Sequence, residues 1–410
     1  MKTLLKKHLS LLLIITTILF SCSKDDGRET ITNPSDTDNG APEFITKWKT
    51  TTDNEAITIK TNADITGYNY TVNWGDGSTD NRKTTDATHT YNTAGTYTVE
   101  ITGNFPAIIN TTIGIEAQNS AKLVSIENWG DIEWKTMIEA FRGCINMQYN
   151  ATDIPNFSNV TDLTSMFYQC EVFNGNLNNW DVSHITNMQS MFERARLFNG
   201  SISGWDVSQV NSMKDMFNEA EKFSQNIDNW DVSHVENMEA MFSSATVFNQ
   251  DISSWNVSKV ESMAEMFASA STFNQDISDW NVANVENMSA MFSRATVFNQ
   301  DIGSWDANHV ENMSSMFFYA EKFNKDISDW DVSHVENMEA MFGYAFDFNQ
   351  DISSWNVSKV ANMGVMFESA STFNQDISGW DVAAVTNCNL FASNTILNPL
   401  YKPNFTNCTL

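Results

Sequence analysis

Basic residues are scarce in this chain. Only 23 Lys and Arg stand against 51 Asp and Glu, which leaves its 410 residues with a formal net charge of −28. Nucleic-acid binding needs clustered Lys and Arg, so that function class is excluded, and an anionic membrane face is excluded as a partner on the same ground. Long apolar runs are missing as well: beyond residue 20 nothing approaches the ~20 residues that a membrane-spanning helix needs. The five cysteines include no C-x-x-C pair, so neither a zinc site nor a thioredoxin-like motif is indicated. No nucleophile–base pair or unpaired acid couple stands apart from the repeat pattern, which argues against a hydrolase and against an enzyme of any kind. The acidity suits a soluble, extracellular, self-repelling chain that draws cations.

The amino terminus carries the first positive signal. Lys2, Lys6 and Lys7 precede a short apolar run over residues 9–20, the layout of an export signal rather than a membrane anchor. Leu19-Phe20-Ser21-Cys22 follows, and it resembles the lipobox of bacterial lipoproteins. The resemblance implies a signal peptide over residues 1–21 and lipidation at Cys22. It also implies an outer membrane lipoprotein exposed at the cell surface, touching the membrane through that anchor alone. Ser23-Lys24-Asp25-Asp26 looks like the acidic tag of surface-exported lipoproteins, with a solvated charge cluster as the alternative. Residues 22–41 are polar and small, and are expected to form a flexible linker.

From Pro42 the pattern changes. Ala56-Ile57-Thr58-Ile59-Lys60, Tyr68-Asn69-Tyr70-Thr71-Val72-Asn73-Trp74 and Gly95-Thr96-Tyr97-Thr98-Val99-Glu100-Ile101 alternate as half-buried strands do, and Gly75-Asp76-Gly77 supplies a tight turn. Val72-Asn73-Trp74-Gly75-Asp76-Gly77-Ser78, then His89-Thr90-Tyr91, then Gly95-Thr96-Tyr97-Thr98-Val99 closely resembles the PKD domain. The resemblance implies an immunoglobulin-like β-sandwich over residues 42–117, serving as a spacer. Asp76 is then a turn residue first, with calcium or ligand binding as its alternative role.

Periodicity dominates the remainder. Trp180, Trp205, Trp230, Trp255, Trp280, Trp305, Trp330, Trp355 and Trp380 recur every 25 residues, the mark of stacked supersecondary units. Eleven units over residues 118–392 result when two degenerate ones ahead of Trp180 are included, and a C-terminal cap occupies 393–410. In one unit Ser258 and Glu261 read as a capping box, followed by Val260, Met263, Met266, Phe267 and Ala270 at helical spacing. Residues 273–278 read as a short strand. Gln275 conflicts with it, unless the strand is bulged or Gln275 joins an inner amide ladder. The recurring W-[DN]-V-S-x-V-x-x-M-x-x-M-F-x-x-A-x-x-F-N-Q-D-I-S looks like the BspA-like leucine-rich-repeat surface proteins. That resemblance implies a right-handed α/β leucine-rich-repeat-like solenoid behind the β-sandwich, displayed on bacterial surfaces for adhesion.

Site candidates follow from the columns. Asp251, Asp276, Asp301, Asp326, Asp351 and Asp376 would stack one unit apart, and calcium would relieve their repulsion; the alternative is outward carboxylates bonding nearby backbone N–H groups. Beyond this possible calcium no cofactor is expected. His309 and His334 are a weak zinc pair. Cys388 and Cys408 are a candidate disulfide in the cap, and Cys144 and Cys170 either bridge or serve as small apolar residues. The pairs that vary most follow each Met-Phe: Ser243-Ser244, Ala268-Ser269, Ser293-Arg294, Phe318-Tyr319, Gly343-Tyr344 and Glu368-Ser369. Phe318, Tyr319, Tyr344 and Phe346 would meet there as an exposed aromatic patch for ligand binding. Residues 231–242 repeat as 331–342, a sign of duplication that favours length over a unique active centre. Two functions are expected from these features: an adhesin binding an extracellular protein or matrix ligand as a monomer, or a glycan-binding lipoprotein for polysaccharide capture.

Overall fold

The computed structural model describes residues 43–408. The signal peptide, Cys22 and the linker expected at 22–41 lie outside that range. The regular elements are strands; helix is confined to α1 (Gly114–Ser120) and a 3₁₀ turn at Pro399–Tyr401 among the described residues. No helix there is long and apolar enough to cross a membrane.

The first part is a β-sandwich-like unit. One sheet contains β1 (Phe44–Lys49), β3 (Asn69–Asn73), β4 (Thr79–Lys83), β6 (Thr96–Asn104), β7 (Leu123–Asn128) and β8 (Gln148–Tyr149), in the order β4-β3-β6-β1-β7-β8. β2 (Glu55–Ile59) and β5 (Ala87–Tyr91) form a separate antiparallel pair. Alternation does its expected work. Phe44, Thr46 and Trp48 of β1 are buried while Lys49 is exposed, and Tyr70 and Val72 of β3 point into the same interior. Gly75 is required at its turn: its φ is +76°, and a Cβ there would lie 2.2 Å from the Thr98 carbonyl oxygen.

β1 joins this unit to the repeats. It pairs antiparallel with β6 on one side and with β7 on the other. The ring of Phe44 lies 5.9 Å from that of Trp129 and 5.2 Å from that of Trp134. Asn110, just beyond β6, donates from its backbone to the Glu139 carbonyl and from Nδ2 to the Ala140 carbonyl. One hydrophobic core therefore runs from the sandwich into the first repeat.

From there each 25-residue repeat lies on the next in parallel register, with bridges running from Asp162↔Asn187 through to Asn362↔Asn387. The helix expected after Ser258 is absent, and the α/β character with it. Residues 188–195 show why. The N–H groups of Met188, Ser190, Phe192 and Arg194 donate to carbonyls of the following repeat, those of Ser212, Lys214, Met216 and Asn218, at 2.8–3.0 Å. Those of Met191, Glu193 and Ala195 donate three residues back within the repeat. Alternate donors are thus taken by the neighbour, and Ser190 (φ 54°) and Arg194 (φ 60°) sit in the left-handed region, so no i→i−4 ladder can run. Chained three-residue turns bring Met188, Met191, Phe192 and Ala195 to the interior at the spacing a helix would give. The capping box has no helix to cap: the Ser258 N–H bonds to Asn256 Oδ1 instead.

Residues 273–278 form no strand. An amide ladder does run here, but through the preceding Asn: Asn249 Oδ1 accepts from the Asn274 N–H, and Asn274 Oδ1 from the Asn299 N–H, at 2.9 and 2.8 Å. Gln275 Nε2 donates to the Asn249 backbone carbonyl at 3.0 Å. Inside, Phe192 stacks on Phe217 at 5.7 Å, Phe198 on Phe223 at 6.0 Å and Trp205 on Trp230 at 6.3 Å. From Trp205 to Trp380 the indole N–H of each repeat reaches back to a carbonyl of the repeat before, as from Trp255 to the Ile227 carbonyl at 3.1 Å. Phe405, packed at 5.0 Å on Phe391, and buried Leu397 cover the last repeat.

Candidate binding surface

The second left-handed residue of each turn forms a column on the surface: Arg194, Glu219, Ser244, Ser269, Arg294, Tyr319, Tyr344 and Ser369 all have φ between 55° and 60°. Identical backbone conformations project these side chains in parallel. Their N–H groups are rungs of the ladder, as in Arg294 to the Phe318 carbonyl at 2.7 Å, Tyr319 to Gly343 at 2.9 Å and Tyr344 to Glu368 at 2.7 Å. Adjacent side chains are therefore held about one strand spacing, ~4.8 Å, apart.

What fills the column changes along it. At one end charges pair between repeats: Arg194 meets Glu219 at 3.1 Å, and Arg196 meets Glu219 and Glu221. In the middle Ser244 and Ser269, beside Ser243 and Ala268, leave little side chain standing out. Aromatics follow. Tyr319 and Tyr344 stack face to face at 4.3 Å and 4°. Phe318 meets both edge-on at 4.8 and 5.7 Å, and Phe346 meets both at 6.4 Å. All four rings are half-buried. Gly343 leaves room for this packing, since a Cβ there would approach Phe318 Cδ2 to 3.0 Å. The Glu368 carboxylate beside Tyr344 raises that phenol's pKa. Arg294, one repeat earlier, lies over Tyr319 at 5.0 Å and Phe318 at 5.7 Å, near enough for cation–π attraction. The sequence brought the four aromatics together by their spacing but left Arg294 out of the group. Its signal was its place in the same column, 25 residues before Tyr319.

The other candidates are placed as follows. The six carboxylates of the Asp column are exposed, and each is used locally rather than pooled around an ion. Asp251, Asp276, Asp326, Asp351 and Asp376 accept the N–H of the Ser two residues on at 3.0 Å, and Asp301 that of Gly303 at 3.2 Å. The Ser253 hydroxyl, then its N–H, holds Asp251 below the usual carboxylate range, and the same two groups of the following Ser lower Asp276, Asp326, Asp351 and Asp376. Among the described residues no group of three or more His, Cys, Asp or Glu is arranged to hold a metal ion. His309 Nδ1 lies 2.8 Å from the Ala283 carbonyl, a backbone partner in place of a metal. Cys388 and Cys408 are joined through their sulfurs, with Cα atoms 5.9 Å apart. Cys144 and Cys170 are free thiols whose pKa burial pushes up, and Cys170 donates to the Phe141 carbonyl.

One trio in the sandwich contains a hydroxyl, an imidazole and a carboxylate. Asp76 Oδ2 and Ser78 Oγ lie 2.8 and 3.4 Å from the same nitrogen, Nε2 of His89. A proton relay needs them on opposite ring nitrogens, so this arrangement closes a turn rather than activating a nucleophile. Hydrogen bonds from the Ser78 hydroxyl and from His89 lower the Asp76 pKa to about 2.

Two family descriptions match the chain. "Mycoplasma protein of unknown function, DUF285" matches residues 135–246, 222–322 and 299–400, in overlapping passes over the repeats. The PKD domain matches residues 51–107. No curated protein and no solved structure gives a significant match.

Proposed function

The chain belongs to the DUF285 family, with a PKD domain ahead of its repeats, and from this premise we propose that it is a non-catalytic surface lipoprotein that binds an extracellular protein or matrix ligand. Cys22 carries the lipid anchor and the PKD domain serves as spacer. The repeats continue as a right-handed solenoid of the BspA-like leucine-rich-repeat type, shown to the outside as a monomer. The observation that carries the reading is the aromatic cluster of Phe318, Tyr319, Tyr344 and Phe346. Two of its large half-exposed rings, Tyr319 and Tyr344, stand on a column whose other members are small or charged, and Phe318 and Phe346 pack beside them. Contact surfaces favour such rigid aromatic anchors, which bury large area at small entropic cost. The acidic excess keeps the rest of the surface soluble.

The test replaces the four aromatics with Ser in the full chain and measures binding to immobilised matrix proteins and to host cells. Loss of binding with an unchanged melting temperature supports the proposal; binding equal to the unmodified chain overturns it. Glycan capture predicts instead that the unmodified chain binds a polysaccharide array and ignores the proteins.

A further inference from the structure

We infer that Arg294 and the adjoining rings form a pocket for an acidic side chain of a protein partner, so that the surface recognises a carboxylate set beside an apolar residue. This rests on the binding role proposed above and specifies its chemistry.

The first support is what Arg294 lacks. In this column Arg194 is answered one repeat later by Glu219, at 3.1 Å. The position one repeat after Arg294 is Tyr319, which offers a ring face and no charge. Arg294 is exposed, and among the described residues its guanidinium has no carboxylate within ion-pair distance. In a chain with more than twice as many acids as bases, a cation left unanswered on a crowded surface is a place for an anion from outside. Guanidinium pairs carboxylate through two parallel hydrogen bonds, and a ring behind it fixes its plane.

The second support is shape. Ser243, Ser244, Ala268 and Ser269 make a floor over the two repeats before Arg294, with Ser243 and Ala268 each 8% exposed. Phe318 and Tyr319 follow on the repeat after Arg294, and its guanidinium lies over both rings at the edge of this floor. Of the carboxylates on the aromatic side, Glu321, two residues after Tyr319, is half-buried and makes no ion pair with Arg294. Asp347 is paired to Lys322 at 3.0 Å, and Glu368 adjoins Tyr344, in the third repeat after Arg294.

The third support separates peptide from sugar. A saccharide ring stacks on an open aromatic face. Tyr319 has Tyr344 on one face at 4.3 Å and Arg294 on the other at 5.0 Å, and Phe318 is turned edge-on to both tyrosines. Beside Arg294 the surface therefore offers a charge and ring edges in place of an open face, which suits an Asp or Glu side chain with an apolar neighbour.

The experiment probes the full chain, solubilised in mild detergent, with an array of synthetic peptides bearing Asp or Glu beside Leu, Phe or Tyr. The same peptides carrying Asn or Gln are the control, and polygalacturonate represents an acidic glycan. The unmodified chain should bind a subset of the acidic peptides and not their amide twins, more weakly as salt rises. Arg294→Gln should weaken that binding about tenfold, as loss of one charge-assisted pair does, at an unchanged melting temperature. Equal binding of the amide twins, no effect of Arg294→Gln, binding of no acidic peptide, or binding of polygalacturonate alone would each overturn the inference. If the four-Ser variant loses protein binding while Arg294→Gln keeps it, the inference fails and the proposed function stands. If both variants bind as before, the proposed function fails with it.

Discussion

Two residues of each repeat hold a positive φ, and few of them are of the type that accepts it easily. Ser, Ala, Glu, Arg and Tyr occupy these positions, and Val365 (φ 52°) and Leu390 (φ 54°) do so with branched side chains. A left-handed L-residue costs roughly 1–2 kcal/mol, and a β-branched one is the least tolerant. The conformation persists because the ladder needs it: the Val365 N–H bonds to the Asn389 carbonyl at 2.8 Å and its own carbonyl accepts from Glu368. Val365→Gly should therefore stabilise the chain by up to about 1 kcal/mol, the relief of strain exceeding glycine's entropic cost. Urea unfolding with an unchanged slope and a raised midpoint would show it; a lowered midpoint would mean that the Val365 side chain contributes more by packing than it loses by strain.

At the scale of elements, the repeat is the unit of register. Hydrogen bonds, ring stacks and indole contacts link positions about 25 residues apart, so removing a whole repeat restores every column. Deleting residues 256–280 should leave a folded chain with a slightly lower melting temperature. Deleting 256–267 alone should misalign all later columns and abolish cooperative melting, as followed by circular dichroism. The sequence made the columns plain, because Trp, Met and Phe recur without interruption, and made the sandwich plain through alternation around Gly75-Asp76-Gly77. It hid the backbone. Met188, Met191, Phe192 and Ala195 carry the i, i+3, i+4, i+7 signature that a helix and a chain of three-residue turns share. Ser190 and Arg194 gave none of the glycine signal that marks a left-handed residue. At the surface, Tyr319 and Tyr344 were legible as neighbours by their spacing. The Asp column suggested an ion only until the Ser two residues on is seen to use the carboxylate.

For the whole molecule, the ends of the stack carry different burdens. The first repeat shares β1 and its aromatic core with the sandwich, while the last is closed by a short tail pinned through Cys388–Cys408. A bridge spanning a sequence separation of 20 should contribute roughly 3 kcal/mol to that end. Replacing both cysteines with Ser should fray the final repeat, with faster hydrogen exchange at residues 388–394 and little change in the sandwich. Equal exchange at both ends would show that Phe405 and Leu397 close the stack unaided. The joint at β1 has a mechanical consequence. A pull on the chain ahead of Phe44, resisted by a ligand gripped on the repeats, reaches β1 where Phe44 faces Ile101 and Ile45 faces Asn128, and has to strip an inner strand from β6 and β7 together. Two ladders and the packing of Phe44 on Trp129 and Trp134 must part for the strand to leave, so the protein should hold under flow where an edge strand kept by a single ladder would give way.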